Sequence, residues 1–162
     1  MKINSIFFVL LMTLFTVSAC SRTDEQLSAP QEIASDFTLT TVDGEKIVLS
    51  DILRTRKAVL KFWATWCPYC REVIPQMEKF YRENKDKVAV IGIDIKESKT
   101  KVENFIRKIE ISYPIALDTD GSVARLYKVR GVPTIVVVDK DSKIIYYGHS
   151  VQEMLEQVDF SK

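Results

Sequence analysis

Ala58-Val59-Leu60-Lys61-Phe62-Trp63-Ala64-Thr65-Trp66-Cys67-Pro68-Tyr69-Cys70 is the stretch on which the fold turns. Its first half is β-branched, aliphatic and aromatic with no breaker, which predicts a strand. Pro68 then suits the first position of a helix, where a missing N–H is harmless. The helix is expected from about Tyr69 to Asn84, because Val73, Ile74, Met77, Phe80 and Tyr81 recur at helical spacing. Pro75 falls inside that pattern and should kink it. Two cysteines three apart at a strand–helix junction can close a small disulfide ring. They can also reopen it, since a helix N-terminus favours the thiolate of the first. This suits a protein that passes disulfides or electrons to other thiols.

Strand, Trp66-Cys67-Pro68-Tyr69-Cys70, helix and a proline five residues after the second cysteine together resemble the thioredoxin superfamily. A second match lies at Gly131-Val132-Pro133-Thr134, ahead of the apolar run Ile135–Val138. The resemblance implies a cis Val132–Pro133 bond facing the disulfide. The backbone of Val132 would then be open to pair with an extended substrate strand. It also implies roles. Cys67, the exposed cysteine, would be the nucleophile and Cys70 the resolving thiol. Trp66 would cover one side of the pair and Pro133 the other, while Pro68 and Tyr69 tune the couple. The dithiol itself carries two electrons, so no bound cofactor is expected.

The remaining elements follow from pattern. Phe37–Thr40 and Lys46–Leu49 flank a turn at Asp43-Gly44 and read as a hairpin. Ser50–Leu53 reads as a capped helical turn. Val88–Ile95 is a continuous apolar run, the pattern of a strand buried on both faces. An amphipathic helix is expected over Thr100–Ile109, a short strand over Tyr113–Asp118 and a short helix over Val123–Tyr127. Strands at Thr134–Val138 and Ile144–Tyr147 form a second hairpin, and a helix over Val151–Val158 closes the chain. The fold class is α/β: a thioredoxin-like mixed sheet with helices on both faces. The N-terminal hairpin and the inserted helix-strand unit between Val88 and Leu117 resemble the TlpA-like and ResA-like branch, membrane-anchored disulfide reductases of bacteria. That resemblance implies protein thiols or disulfides as substrates, apocytochrome c thiols among them, and a membrane dithiol as electron donor.

The N-terminus addresses the compartment. Lys2, an apolar stretch over Ile3–Ala19 and the ending Val17-Ser18-Ala19-Cys20 read as a secretory signal in residues 1–19. The ending resembles a bacterial lipobox, which implies a lipidated Cys20 and a bacterial membrane anchor on the extracytoplasmic side. Residues 20–35 are then a polar tether and residues 36–162 one domain. With one of three cysteines on the anchor, a single pair remains, better read as catalytic than as a staple. Twenty-three basic and twenty-two acidic residues are interspersed, with no basic block, which argues against nucleic acid. A monomer is expected.

Two positions depart from the family pattern. Lys61 stands where thioredoxins carry a buried acid, six residues before the first cysteine. Val73 stands where many TlpA-like proteins carry glutamate, and the acid is displaced to Glu72. One helical step turns a side chain by about 100°, so Glu72 is not expected to share the glutamate's direction. Lys61 is expected to snorkel to the surface. If its ammonium approached the pair, it would favour thiolate and a more oxidising couple. His149 is expected at the surface near a helix start. The alternatives use the same cysteines: a copper(I)-binding or copper-delivery module, since soft thiolates suit that ion, or a thiol peroxidase. Tetrahedral zinc lacks ligands, with one histidine in the chain.

Overall fold

A computed structural model of the chain describes residues 32–161. The signal segment 1–19, Cys20 and most of the tether lie outside the described residues. In chain order the elements are β1 (Thr38–Thr41), β2 (Lys46–Val48), α1 (Leu49–Leu53), β3 (Lys57–Trp63), α2 (Pro68–Glu72), α3 (Ile74–Asn84) and β4 (Val88–Ile95). They continue as α4 (Lys99–Ile106), β5 (Ile115–Asp118), α5 (Ser122–Leu126), β6 (Thr134–Val138), β7 (Ile144–Gly148) and α6 (Val151–Gln157). The strands form one mixed sheet in the order β2-β1-β5-β4-β3-β6-β7. β3 pairs parallel to β4 and antiparallel to β6, so the redox strand is central.

Alternation along β3 divides the core. Val59 and Trp63 face one side with Met77, Phe80, Val102 and Met154, from α3, α4 and α6. Ala58, Leu60 and Phe62 face the other with Leu49, Leu53, Val123 and Ala124, from α1 and α5. Each such fully buried aliphatic or aromatic side chain contributes about 1.5–3 kcal/mol. The two layers therefore fix the sheet, and the sheet fixes the loop after Trp63. The inserted unit places β5 beside β4, and the N-terminal hairpin extends the sheet from β5. Gly44 takes φ +89°, the left-handed backbone that its turn requires.

Several local expectations are corrected. The single kinked helix Tyr69–Asn84 is two helices that meet at Val73 (φ −87°, ψ −7°). Pro75 lacks the N–H that would bond Arg71, and its ring would strike that carbonyl, so the break falls two residues ahead of the proline. Ser50 does not cap α1; the N-cap is Val48, and Ser50 N–H instead donates to Asp36 Oδ1 at 2.9 Å. The Thr100–Ile109 helix is shorter and starts earlier, capped by Ser98 Oγ on Lys101 N–H. Among the described residues no helix is long and apolar enough to cross a membrane.

Candidate active site

β3 runs out at Trp63, and Ala64-Thr65-Trp66 leads into α2 with Cys67 as its N-cap. Cys67 and Cys70 are joined as a disulfide, their Cα atoms 5.3 Å apart. Cys67 Sγ accepts from Cys70 N–H at 3.1 Å and lies 3.4 Å from the Val132 carbonyl oxygen. Val132–Pro133 is cis, and Val132 precedes β6, outside its ladder. The two sequence-distant motifs therefore meet at one place.

The expected exposure of Cys67 is corrected: it is 2% exposed and Cys70 is fully buried. The sulfur of Cys67 is enclosed by its disulfide partner, the α2 N–H and the Val132 carbonyl. Trp66 does not close off the pair as a lid, because 62% of it is exposed, as is 70% of Tyr69. Trp66 also lines a cleft of about 300 Å³ with Ala64, Gly131 and Val132, flanked by Lys96, Arg125 and Arg130. Pro133 is buried. Its carbonyl accepts a hydrogen bond from Nδ1 of the exposed His149 at 2.7 Å.

Lys61 overturns the expectation that it snorkels. It is fully buried on the face shared by Val59 and Trp63. On this face Trp63, Cys70, Met77 and Tyr113 pack over the strand, so a lysine at its middle has no route to water. Its Nζ lies 3.3 Å from the Cys70 carbonyl oxygen and 3.4 Å from the Tyr113 hydroxyl, with the Trp63 ring centroid at 5.6 Å. Burial pulls its amine down to about 7. Gly92, opposite Lys61 on β4, makes room for these neighbours: a Cβ there would meet Tyr113 Cε2 at 3.1 Å and Trp63 Nε1 at 3.2 Å. Glu72 is exposed, consistent with the helical step that displaces it.

A carboxyl pair that the sequence reading missed holds the loop before the cysteines. Thr65 N–H and Oγ1 donate to the Glu97 carboxylate at 2.5 and 2.8 Å, and Lys101 Nζ sits 2.5 Å from it. Arg71 from α2 donates to the Thr65 carbonyl at 2.8 and 3.2 Å, its guanidinium over the Phe105 ring. Burial pushes Glu97 up, but Lys101 and Thr65 outweigh it and hold its carboxyl below the usual range. Asp94 lies fully buried on β4, and as an anion it has no donor for either oxygen. Burial first, then the Glu97 carboxylate, raise it to about 8. At neutral pH it therefore keeps its proton. The signal for Asp94 was one acid interrupting an eight-residue apolar run.

Among the described residues no three His, Cys, Asp or Glu side chains gather as a metal-holding group. What the arrangement offers is a two-cysteine couple beside unpaired backbone, set against an amine and a neutral acid.

Residues 30–147 match the AhpC/TSA family. The chain is 32% identical over 168 residues to the thiol-disulfide oxidoreductase ResA of Bacillus thuringiensis, covering 97% of this chain and 96% of that one. A putative thiol:disulfide interchange protein DsbE from Chlorobium tepidum superposes with TM-score 0.71 at 28% identity, over 78% of this chain and 92% of its own. The exposed lipoprotein thioredoxin of Streptococcus pneumoniae does so with TM-score 0.67 at 26% identity, over 76% of this chain and 100% of its own. The fold shared with these proteins is thioredoxin-like.

Proposed function

The chain belongs to the AhpC/TSA family and is a thiol-disulfide oxidoreductase, and from that premise we propose that it reduces protein disulfides outside the cytoplasm. The observation that carries this reading is the Cys67–Cys70 pair set 3.4 Å from the Val132 carbonyl. Cys67 is the nucleophile and Cys70 resolves the mixed disulfide. An extended client strand pairs with the backbone of Val132, beside Pro133, and lies across Trp66 and Tyr69. Pro68 starts the helix that carries both cysteines. Electrons come from a membrane dithiol, and apocytochrome c thiols are among the clients. The enzyme is a monomer held to a bacterial membrane by a lipid on Cys20, with residues 1–19 removed as a signal. Two things support that placement: the lipobox-like Val17–Cys20 and the similarity to an exposed lipoprotein thioredoxin.

The test uses the full chain with Cys70→Ser. Client proteins should be trapped as mixed disulfides, and a further Cys67→Ser change should abolish every adduct. A midpoint potential near or below about −230 mV against glutathione marks a reductant, whereas one above about −180 mV overturns the reductive direction. If Cys70→Ser traps nothing and instead loses copper(I), the exchange reading is wrong.

A further inference from the structure

The cleft beside the disulfide carries a charge that the exchange chemistry above does not use. Trp66, Val129 and Val132 give it apolar walls, and its rim holds Lys96, Arg125 and Arg130. All three cations are exposed, and no carboxylate among the described residues lines the cleft. Resting on the dithiol reading, we propose that this cleft selects client disulfides whose cysteine is flanked by aspartate or glutamate.

The charge is local. The chain as a whole is close to neutral, with 23 basic and 22 acidic residues. Other basic side chains around the site are spent: Arg71 on the Thr65 carbonyl, Lys101 on Glu97 and Lys128 on Glu32. Lys96 and Arg130 have no carboxylate within ion-pair distance among the described residues. Arg125 donates through Nη1 to the Asp120 carbonyl oxygen at 2.9 Å. The acids nearby are engaged on backbone N–H groups: Asp118 on Val123 and Ala124, Asp120 on Ser122, and Glu97 on Thr65. Lys96 is firmly placed. Its backbone takes φ +58°, uncommon for any residue but glycine, and its N–H donates to the Asp118 carbonyl at 3.0 Å. Its stem lies over Gly121, where a Cβ would meet Lys96 Cε at 2.5 Å and Cγ at 3.2 Å.

The cleft also continues the path of a client strand. Val132 lines it and sets its carbonyl 3.4 Å from Cys67 Sγ. A strand paired at Val132, with its cysteine at Cys67, advances about 3.3 Å per residue, so its next two or three residues cross the cleft. Trp66 and Val129 receive their apolar stems while the rim meets their carboxylates. Exposed pairs of this kind are individually weak and screened by salt, so the gain lies mainly in the rate of encounter. An anionic membrane would also meet three cations, but seated here it would cover the cysteines and stop exchange.

The test is the rate at which Cys67 attacks peptides. Three peptides with one central cysteine, flanked by aspartates, serines or lysines, are each loaded as the mixed disulfide with 2-thiopyridine, a neutral leaving group. Mixing with the reduced full chain releases pyridine-2-thione as Cys67 takes the peptide. Release that persists in Cys67→Ser, from Cys20 or Cys70, is subtracted. The aspartate peptide should react about tenfold faster than the lysine peptide at about 10 mM salt. That ratio should fall toward unity at about 1 M salt, where the screening length is about 3 Å. The triple variant Lys96→Asn, Arg125→Ser and Arg130→Ser should bring it close to unity already at low salt; asparagine suits the positive φ. The ratio cancels any change in the reactivity of Cys67 itself. Equal rates in wild type at low salt, or a triple variant that keeps the wild-type ratio, overturn the proposal. Should the triple variant fail to fold, Arg130→Ser alone must lower the ratio by about twofold, and a ratio it leaves untouched overturns the proposal. Phosphatidylglycerol vesicles that bind wild type but not the variant, with equal peptide rates, give the cleft to a membrane and overturn it too. Equal release from all three peptides refutes this proposal only, whereas no release above background refutes the dithiol reading itself.

Discussion

Replacing Asp94 with asparagine should stabilise the protein, increasingly so as pH rises toward 8. The unfolded aspartate titrates at 3.8, whereas burial and the Glu97 carboxylate raise the folded one to about 8. Between those values the folded chain holds a proton that the unfolded chain has released. Wild-type stability therefore contains a component present in full below pH 3.8 and lost progressively up to about 8. The slope is about 1.4 kcal/mol per pH unit for one proton, so about 2.7 kcal/mol disappears between roughly pH 5 and 7. Asparagine has nearly the same size and never ionises. The variant-minus-wild-type difference cancels the titrating groups that do not interact with Asp94, the lowered carboxyl of Glu78 among them, and Glu97, held low by Lys101 and Thr65, stays ionised from pH 5 to 8 in both proteins. Urea unfolding at half-unit pH steps gives that difference directly. A difference that stays flat from pH 5 to 8 would mean that Asp94 is ionised in the folded state.

Two further changes test the same interior. Lys61→Met should also stabilise, with the opposite pH trend. The amine falls from 10.5 to about 7 on folding, so wild-type stability rises between those values and the variant's advantage shrinks by about 2.7 kcal/mol from roughly pH 7 to 9; an advantage that grows over that range in urea titrations refutes the burial argument. Gly92→Ala puts a methyl 2.5 Å from Ile115 Cδ1 and within 3.2 Å of the Trp63 indole nitrogen. It should cost about 1–3 kcal/mol by calorimetry. An alanine variant as stable as wild type would show that this niche is not tightly packed.

The cysteine pair and most strands were legible because each rests on local chemistry: a turn residue, a helix-start proline, an unbroken apolar run; the cis bond at Val132–Pro133 came from the family resemblance alone. What was not legible depended on which strands became neighbours. Alternation placed Lys61 on the same face as Val59 and Trp63, but the habit of lysine argued for a path to solvent. Only the cover over that face, from Cys70, Met77 and Tyr113, removes that path. Asp94 was hidden by its company, since seven apolar or glycine neighbours made the segment read as plain core. The division of the first helix at Val73 required weighing Pro75 against the carbonyl of Arg71 rather than against its own position.

Lys61 and Asp94 lie on one face of adjacent strands, and burial moves each toward its uncharged form. A buried ion pair would have gained attraction at a desolvation cost of several kcal/mol per ion. Two groups poised near neutrality avoid that cost, and each can change state when a charge appears nearby. The two differ in what they touch. The Glu97 carboxylate that raises Asp94 holds Thr65, in the loop ahead of the cysteines. Lys61 meets the backbone carbonyl of Cys70. Asp94→Asn should therefore change stability while leaving the midpoint potential of the Cys67–Cys70 couple unchanged. A shifted potential in Asp94→Asn would show that the state of this acid reaches the cysteines.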